Sequence, residues 1–219
     1  MLVLAFDTAT SAVTVALYEW APGDEPCALA SLQCVDRQRH AEVLAPSIET
    51  VLGAAGVGPG DLNAISVGVG PGPYTGLRVG LVTARALGSA LKVPVHGVCT
   101  LDAIAWATGQ TEPFVVATDA RRKEVYWARY ASAVVRASEP QVGPPADAAA
   151  AGLPVFGEGA ELYPEVLAGT PWLPSAEAIA ELTIARLSGR PGLPLLQPDP
   201  LYLRRPDAKE IGPRKKAIQ

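Results

Sequence analysis

The sequence predicts an α/β protein: a mixed β-sheet flanked by helices, followed by a second, shorter unit of the same kind. Three observations carry this. The N-terminal apolar run LVLAFD leads through the short polar turn TATS into the alternating segment AVTVALYEW, so a buried strand is followed by an antiparallel partner. Helical and strand periods then alternate as far as Thr108, which is the order of crossover units. A second apolar run, FVVATD, ends at an aspartate as the first does and restarts the pattern at Phe114.

Taken in order, Leu2–Asp7 and Ala12–Trp20 read as a hairpin, with CALASLQCV a third antiparallel strand. In RHAEVLAPSIETVLGAAG, residues Leu44, Ile48, Val51, Leu52 and Ala55 follow helical spacing, and Gly56 can end the helix. Pro46 lies inside it, so a kink or a start at Pro46 is expected, because the ring opposes the carbonyl four residues back. AISVGVG is a buried strand and TGLRVGLVTARALGSAL a long helix that Thr75 can cap. VPVHGV is a short strand, and TLDAIAWAT a helix that Thr100 can cap. The second unit runs FVVATDA, the turn RRK, EVYWARYA, a strand near Val134–Val142, PVFG and a helix around Glu161–Leu167. Ser175 then caps a helix closed by Gly189, and RPGLPLLQPDPLYLRRP must be largely extended. These signals divide the chain into residues 1–104, a smaller degenerate unit over 105–203, and a basic tail over 204–219.

Charge narrows the function classes. Eighteen basic residues stand against 22 acidic ones, a net charge of −4, yet the tail alone carries six basic residues and two acids. The remaining 203 residues therefore hold −8, so a phosphate backbone would meet favourable charge only at the tail and at Arg121–Lys123. The initial apolar run is interrupted by Asp7 too early for a signal core, and no segment reaches bilayer-spanning length, which leads us to expect a cytoplasmic protein without membrane contact. Three cysteines without CxxC spacing read as packing residues. Two histidines, His40 and His96, form no HxxxH or HExxH pair, so no metal site is expected.

Candidate sites follow from glycines, aspartates and hydroxyls. Asp7 and Thr8 stand where an α/β fold of this order can hold Mg²⁺ or a phosphate, but the turn has no glycine to let backbone N–H groups approach. An aspartate capping its own hairpin is the simpler reading. Asp119 occupies the equivalent place in the second unit, and Gly157 and Gly159 form a strand–turn–helix junction that could approach an adenine or ribose. The loop GVGPGPYTG lacks the lysine of a P-loop, since no lysine precedes Lys92. Its helix carries the most specific pattern: Gly76, Gly80, Ala84 and Gly88 recur every fourth residue and share one face. A ridge without side chains permits close approach of a second backbone, either from the chain's own preceding helix or from a partner. With Leu44 and Ile48 it forms the expected partner face, and Gly80→Leu is expected to leave the fold intact while holding a partner off.

LAFDTAT with VTVAL, GVGPGPYTGLRVGLVTARALG, GVCTLDAIA, TDARRKEVYWARY, GEGA and PDPLYLRRPDA together resemble the TsaB (YeaZ) family, in order and over nearly the whole chain. The resemblance implies an actin/Hsp70/sugar-kinase-like (ribonuclease H-like) fold of duplicated domains. It further implies a non-catalytic scaffold in the making of threonylcarbamoyladenosine next to the anticodon of tRNA, dimerising with the catalytic subunit TsaD and recruiting the ATPase TsaE, with a homodimer where TsaD is missing. ATP and a metal ion would then sit at partner subunits, and tRNA would be the substrate of the complex. The metal-binding HxxxH of TsaD-like members is broken here, because Leu44 stands four residues after His40. Pro73-Tyr74 departs from the Ser-Phe more usual in the family. The rival readings are an ATP-dependent kinase or ATPase of the same fold, motivated by Asp7 and Asp119, and a peptidase, which no Ser/His/Asp or zinc motif supports.

Overall fold

A computed structural model describes residues 1–204. The remainder of the basic tail, from residue 205, lies outside the described residues.

The first sheet is built from β1 (Leu2–Asp7), β2 (Ala12–Glu19), β3 (Cys27–Val35), β4 (Ala64–Gly68) and β5 (Val95–Val98), in the order β3-β2-β1-β4-β5. β1 to β3 are antiparallel, with Leu4 opposite Leu17 and Phe6 opposite Val15, and β4 and β5 add in parallel. The second sheet repeats the arrangement. β6 (Phe114–Asp119) is flanked by the antiparallel β7 (Val125–Ser132) and the short β8 (Val135–Arg136), while β10 (Val155–Phe156) and β11 (Gly169–Thr170) add in parallel on its other side. β9 (Gln141–Gly143) also pairs with β7, so the strand expected near Val134–Val142 is two short ones.

Helices make the layers. α1 (His40–Ala54) and α2 (Tyr74–Leu91) cover one face of the first sheet, where Leu4, Phe6, Val13, Val15 and Leu17 meet Leu44, Val51, Leu77 and Leu81. α3 (Thr100–Thr108) and α6 (Ala176–Leu187) fill the space between the sheets, joining Val3, Ala5 and Ala16 to Phe114, Val116 and Tyr130 in one core. α4 (Pro145–Ala149) and α5 (Glu158–Leu162) cover the far face of the second sheet. β2 therefore buries both faces, although its alternation reads as a half-exposed strand. The sheets divide between Val98 and Phe114, near the expected boundary at 104, but α6 packs on β1 and β2, and Leu196 pairs with Gly97 of the first sheet.

Local signals fared unequally. Ser175 caps α6 by accepting from the Ala178 N–H at 3.1 Å, and Gly189 follows that helix at φ +84°. α1 begins at His40 and continues through Pro46, since a proline costs a helix its own N–H bond but does not prevent packing from holding both turns. Thr75 and Thr100 are not caps: α2 starts after Pro73 and α3 after Cys99. The helix expected around Glu161–Leu167 spans Glu158–Leu162 instead.

Candidate functional site

The turn after β1 is where the candidate residues converge. Asp7 is fully buried; its carboxylate accepts from Thr100 Oγ1 at 2.7 Å and from the Ala9 N–H at 2.5 Å. A Cβ at Gly68 would fall 1.7 Å from Asp7 Oδ2, so β4 needs glycine there to admit the carboxyl group. Burial pushes the Asp7 pKa up, against the Thr100 and Ala9 hydrogen bonds and the nearby His40. Thr100, expected as a helix cap, thus serves as the partner of Asp7 instead.

Thr8 explains the glycine row. Its hydroxyl donates to the Gly76 carbonyl at 2.7 Å and accepts from the Gly80 N–H at 3.0 Å, the two groups that an α-helix ordinarily joins to each other. A side chain can enter a helix backbone in this way only where no Cβ stands in front of it. A Cβ at Gly76 would lie 2.5 Å from the Thr8 carbonyl oxygen and one at Gly80 2.6 Å from Thr8 Oγ1. At the far end, a Cβ at Gly88 would lie 2.3 Å from Val95 Cγ2 of β5. Ala84 is also fully buried, and Leu44 and Ile48 belong to the core beneath the helices.

This corrects the expected ridge. Leu44, Ile48, Gly76, Gly80, Ala84 and Gly88 face the chain's own first sheet and turn, not outward. Close approach is required as the spacing predicts, but the approaching groups are the Thr8 carbonyl and hydroxyl and the Val95 side chain. Gly80→Leu would therefore strike Thr8 inside the fold, which overturns the expectation that it leaves the monomer intact.

The outer face of the same helices has a different composition. α2 exposes Tyr74, Val82, Ala86 and Ala90, with Val82 59% exposed, alongside Thr75, Arg78, Arg85 and Ser89, and α1 exposes Ala41, Ala45 and Pro46 alongside Glu42, Glu49 and Thr50. α1 and α2 contact each other, so these residues form the outside of one helix pair.

The second half closes over the turn. Asp119 accepts from the Arg121 N–H at 2.7 Å, and Arg121 Nη1 lies 3.5 Å from its other oxygen. Asp119 caps its own hairpin, as Asp7 partly does. Gly157, at φ +122°, and Gly159 are pressed against β6: a Cβ at the first would lie 2.2 Å from the Ala117 carbonyl and one at the second 2.9 Å from Ala117 Cβ. Between the halves, Ser11 Oγ donates to the buried carboxylate of Glu158, and Thr10, Pro73, Asp119 and Arg121 line the remaining space of about 10 Å³. That is about what a single water requires. His40 points its Nε2 at the Thr10 carbonyl, 2.8 Å away, which ties α1 to the turn.

Sequence reasoning missed one buried network. Asp102 of α3 is fully buried; it accepts from Tyr130 Oη at 2.7 Å and from Arg136 Nη1 at 3.2 and 3.1 Å. Burial pushes its pKa up, opposed first by the charge of Arg136.

A family model described as TsaD, tRNA N6-adenosine threonylcarbamoyltransferase, matches residues 35–164. The chain is 43% identical over 214 residues to an uncharacterized protein of Mycobacterium tuberculosis, covering 96% of this chain and 95% of that one. It is 37% identical over 133 residues to the Escherichia coli tRNA threonylcarbamoyladenosine biosynthesis protein TsaB, covering 59% of this chain and 55% of that protein. The solved structure of YeaZ from Pseudomonas aeruginosa superposes with a TM-score of 0.72 at 31% identity, covering 92% of this chain and 99% of that one.

The chain belongs to the TsaB/YeaZ family.

Its two sheets of repeated strand order, each flanked by helices, are the duplicated actin/Hsp70/sugar-kinase-like, ribonuclease H-like fold expected for that family. Among the described residues no helix is long and apolar enough to cross a membrane, and no group of three or more His, Cys, Asp or Glu could hold a metal ion.

Proposed function

We propose that the chain acts in threonylcarbamoyladenosine biosynthesis on tRNA as a non-catalytic subunit that pairs, through the outer face of α1 and α2, with a TsaD-like catalytic subunit. One observation carries the reading. Two adjacent helices, held from beneath, present an outer surface on which the small apolar Val82, Ala86 and Ala45 stand among the charged Arg78, Arg85, Glu42 and Glu49. Such a surface lets a second helix pair lie close, completing a four-helix contact with a partner or, in its absence, with a second copy of the chain. The name of the E. coli relative supports the pathway, and the match to a TsaD model supports a partner built on the same fold.

The closed cleft supports the absence of catalysis by this chain alone. The groups best placed to hold a nucleotide are already bonded to protein: Asp7 to Thr100, Ser11 to Glu158, Asp119 to its own turn. We place ATP and any metal ion at partner subunits, and assign recruitment of a TsaE-like ATPase to the assembled pair.

Co-expression with the organism's TsaD followed by size-exclusion chromatography tests this. A complex that Val82→Asp dissociates is expected; a complex indifferent to that change would refute the face. Calorimetric titration of the isolated chain with Mg-ATP separates the kinase or ATPase alternative, since micromolar binding with turnover would remove the scaffold reading.

A further inference from the structure

A second surface is neither part of the helix pair nor of the closed cleft. Beside the mouth of the cleft lies a cavity of about 320 Å³, at the low end of the roughly 300–1,000 Å³ typical of small-molecule sites. In a chain with more acids than bases, its described lining includes Arg121, Arg122 and Arg204; Arg121 lies 3.5 Å from an Asp119 oxygen, and Arg204 pairs with Glu124 and donates to the Ala120 carbonyl at 3.1 Å, so two of these cations already have a carboxylate partner. One wall is aromatic: Tyr74 and Tyr202 stack with centroids 5.3 Å apart at 24°, 48% and 41% exposed, and the Arg78 guanidinium lies 5.1 Å over the Tyr74 ring.

The cationic wall is built on a disfavoured backbone. Arg121, Arg122 and Lys123 have φ of 61°, 56° and 62°, the left-handed region where glycine or asparagine would be easier. A turn that keeps three long cationic side chains in that conformation holds them where a plain hairpin needs none.

We propose that this cavity binds a segment of single-stranded RNA, with a base on the Tyr74–Tyr202 platform and flanking phosphates on Arg121, Arg122 and Arg204. Exposed rings accept any base face, and guanidiniums take phosphate oxygens in bidentate fashion. Arg78, over the Tyr74 ring, adds a fourth guanidinium to the three of the lining, a set that can take more than one phosphate along a strand. The proposal rests on the reading above for why RNA should be near, but it concerns the isolated chain.

Fluorescence anisotropy with a labelled tRNA anticodon stem-loop, titrated with the full chain over a series of salt concentrations, tests it. Wild type should bind with an affinity that falls with salt. The Arg121→Ala/Arg122→Ala pair should weaken binding and lower the salt slope by about 1.4, roughly 0.7 per single-strand phosphate. Tyr202→Ala should weaken binding roughly 5- to 150-fold, the loss of one stacked base, while Tyr202→Phe keeps wild-type affinity and shows that the ring itself carries the effect. Absence of binding at low salt, unchanged affinity in the arginine pair, or equal loss in Tyr202→Phe and Tyr202→Ala would each overturn the site. Competition by free ATP at equal nucleotide concentration would overturn RNA as the occupant. Val82→Asp, which tests the partner face, should leave this binding unchanged, so failure of one reading is distinguishable from failure of the other.

Discussion

Replacing Gly80 with alanine sets two physical effects against each other. In an exposed helix, alanine in place of glycine stabilises by about 1 kcal/mol. Here the added methyl would stand 2.6 Å from Thr8 Oγ1 and 3.6 Å from Val67 Cγ2. Thr8 is buried on every side and its hydroxyl is committed to Gly76 and Gly80, so it cannot swing away without losing both hydrogen bonds. Overpacking of this kind costs about 1–3 kcal/mol, and each abandoned bond about 0.5–1.5 kcal/mol. Offset by the helix-propensity gain, the expected net loss is about 3 kcal/mol, a fall in Tm of roughly 6–12 °C for a chain of this size. Thermal unfolding with a double-mutant cycle measures it. Thr8→Ala removes the obstructing oxygen, so Gly80→Ala in that background should cost less by at least about 1 kcal/mol. A rise in Tm for Gly80→Ala alone, or strict additivity in the cycle, would refute the account of the glycine row.

Three further outcomes are expected. Val82→Asp should leave Tm within about 2 °C of wild type, because the side chain is exposed, yet weaken association with TsaD at least tenfold by burying a carboxylate at the contact, as read by size exclusion or calorimetry. Asp7 has a raised pKa when folded, so its favourable contribution is full below the unfolded value and is lost as pH rises through the folded one; Asp7→Asn should therefore gain stability relative to wild type as pH rises above the unfolded value of 3.8 in urea unfolding. Arg136→Ala should cost about 3–5 kcal/mol by leaving the Asp102 carboxylate buried without its cation, whereas a loss under about 1 kcal/mol in the same assay would show that Tyr130 alone suffices.

The sequence made the strands, the duplication and the demand for close backbone approach legible, because each is a matter of local period. It did not say which backbone approaches. A four-residue repeat places Gly76, Gly80, Ala84 and Gly88 on one face, but the group they admit, Thr8, is 68 residues away from Gly76 and belongs to a turn whose hydroxyls look alike in sequence. Leu44 and Ile48 carry the same ambiguity: helical spacing identifies one apolar stripe, but not whether the chain's own sheet or a second chain covers it. Asp102 offered one signal, an acid in the first turn of an otherwise apolar helix, but its partners Tyr130 and Arg136 come from the second sheet. Thr100 reads as a cap from sequence because caps are local; its bond to Asp7 spans 93 residues.

The turn at residues 7–11 joins these observations. Asp7 holds α3 through Thr100, Thr8 enters the backbone of α2, the Thr10 carbonyl meets His40 of α1, and Ser11 reaches Glu158 of α5. A turn with free polar groups could serve a ligand; this one commits its carboxylate, two hydroxyls and a backbone carbonyl to four helices, and its remaining hydroxyl, Thr10, to the Ala12 N–H. Seating a phosphate there would mean breaking at least the Ser11–Glu158 and Thr8–Gly80 contacts, each costly because the freed groups are buried. The same bonds fix α1 and α2 in position from beneath, so their outer face can meet a partner without first being ordered. Closure of the cleft and rigidity of the helix pair are thus two consequences of one set of hydrogen bonds. A substitution such as Ser11→Ala, though remote from Val82, should loosen the link between the halves while leaving the helix pair anchored through Thr8 and Thr10.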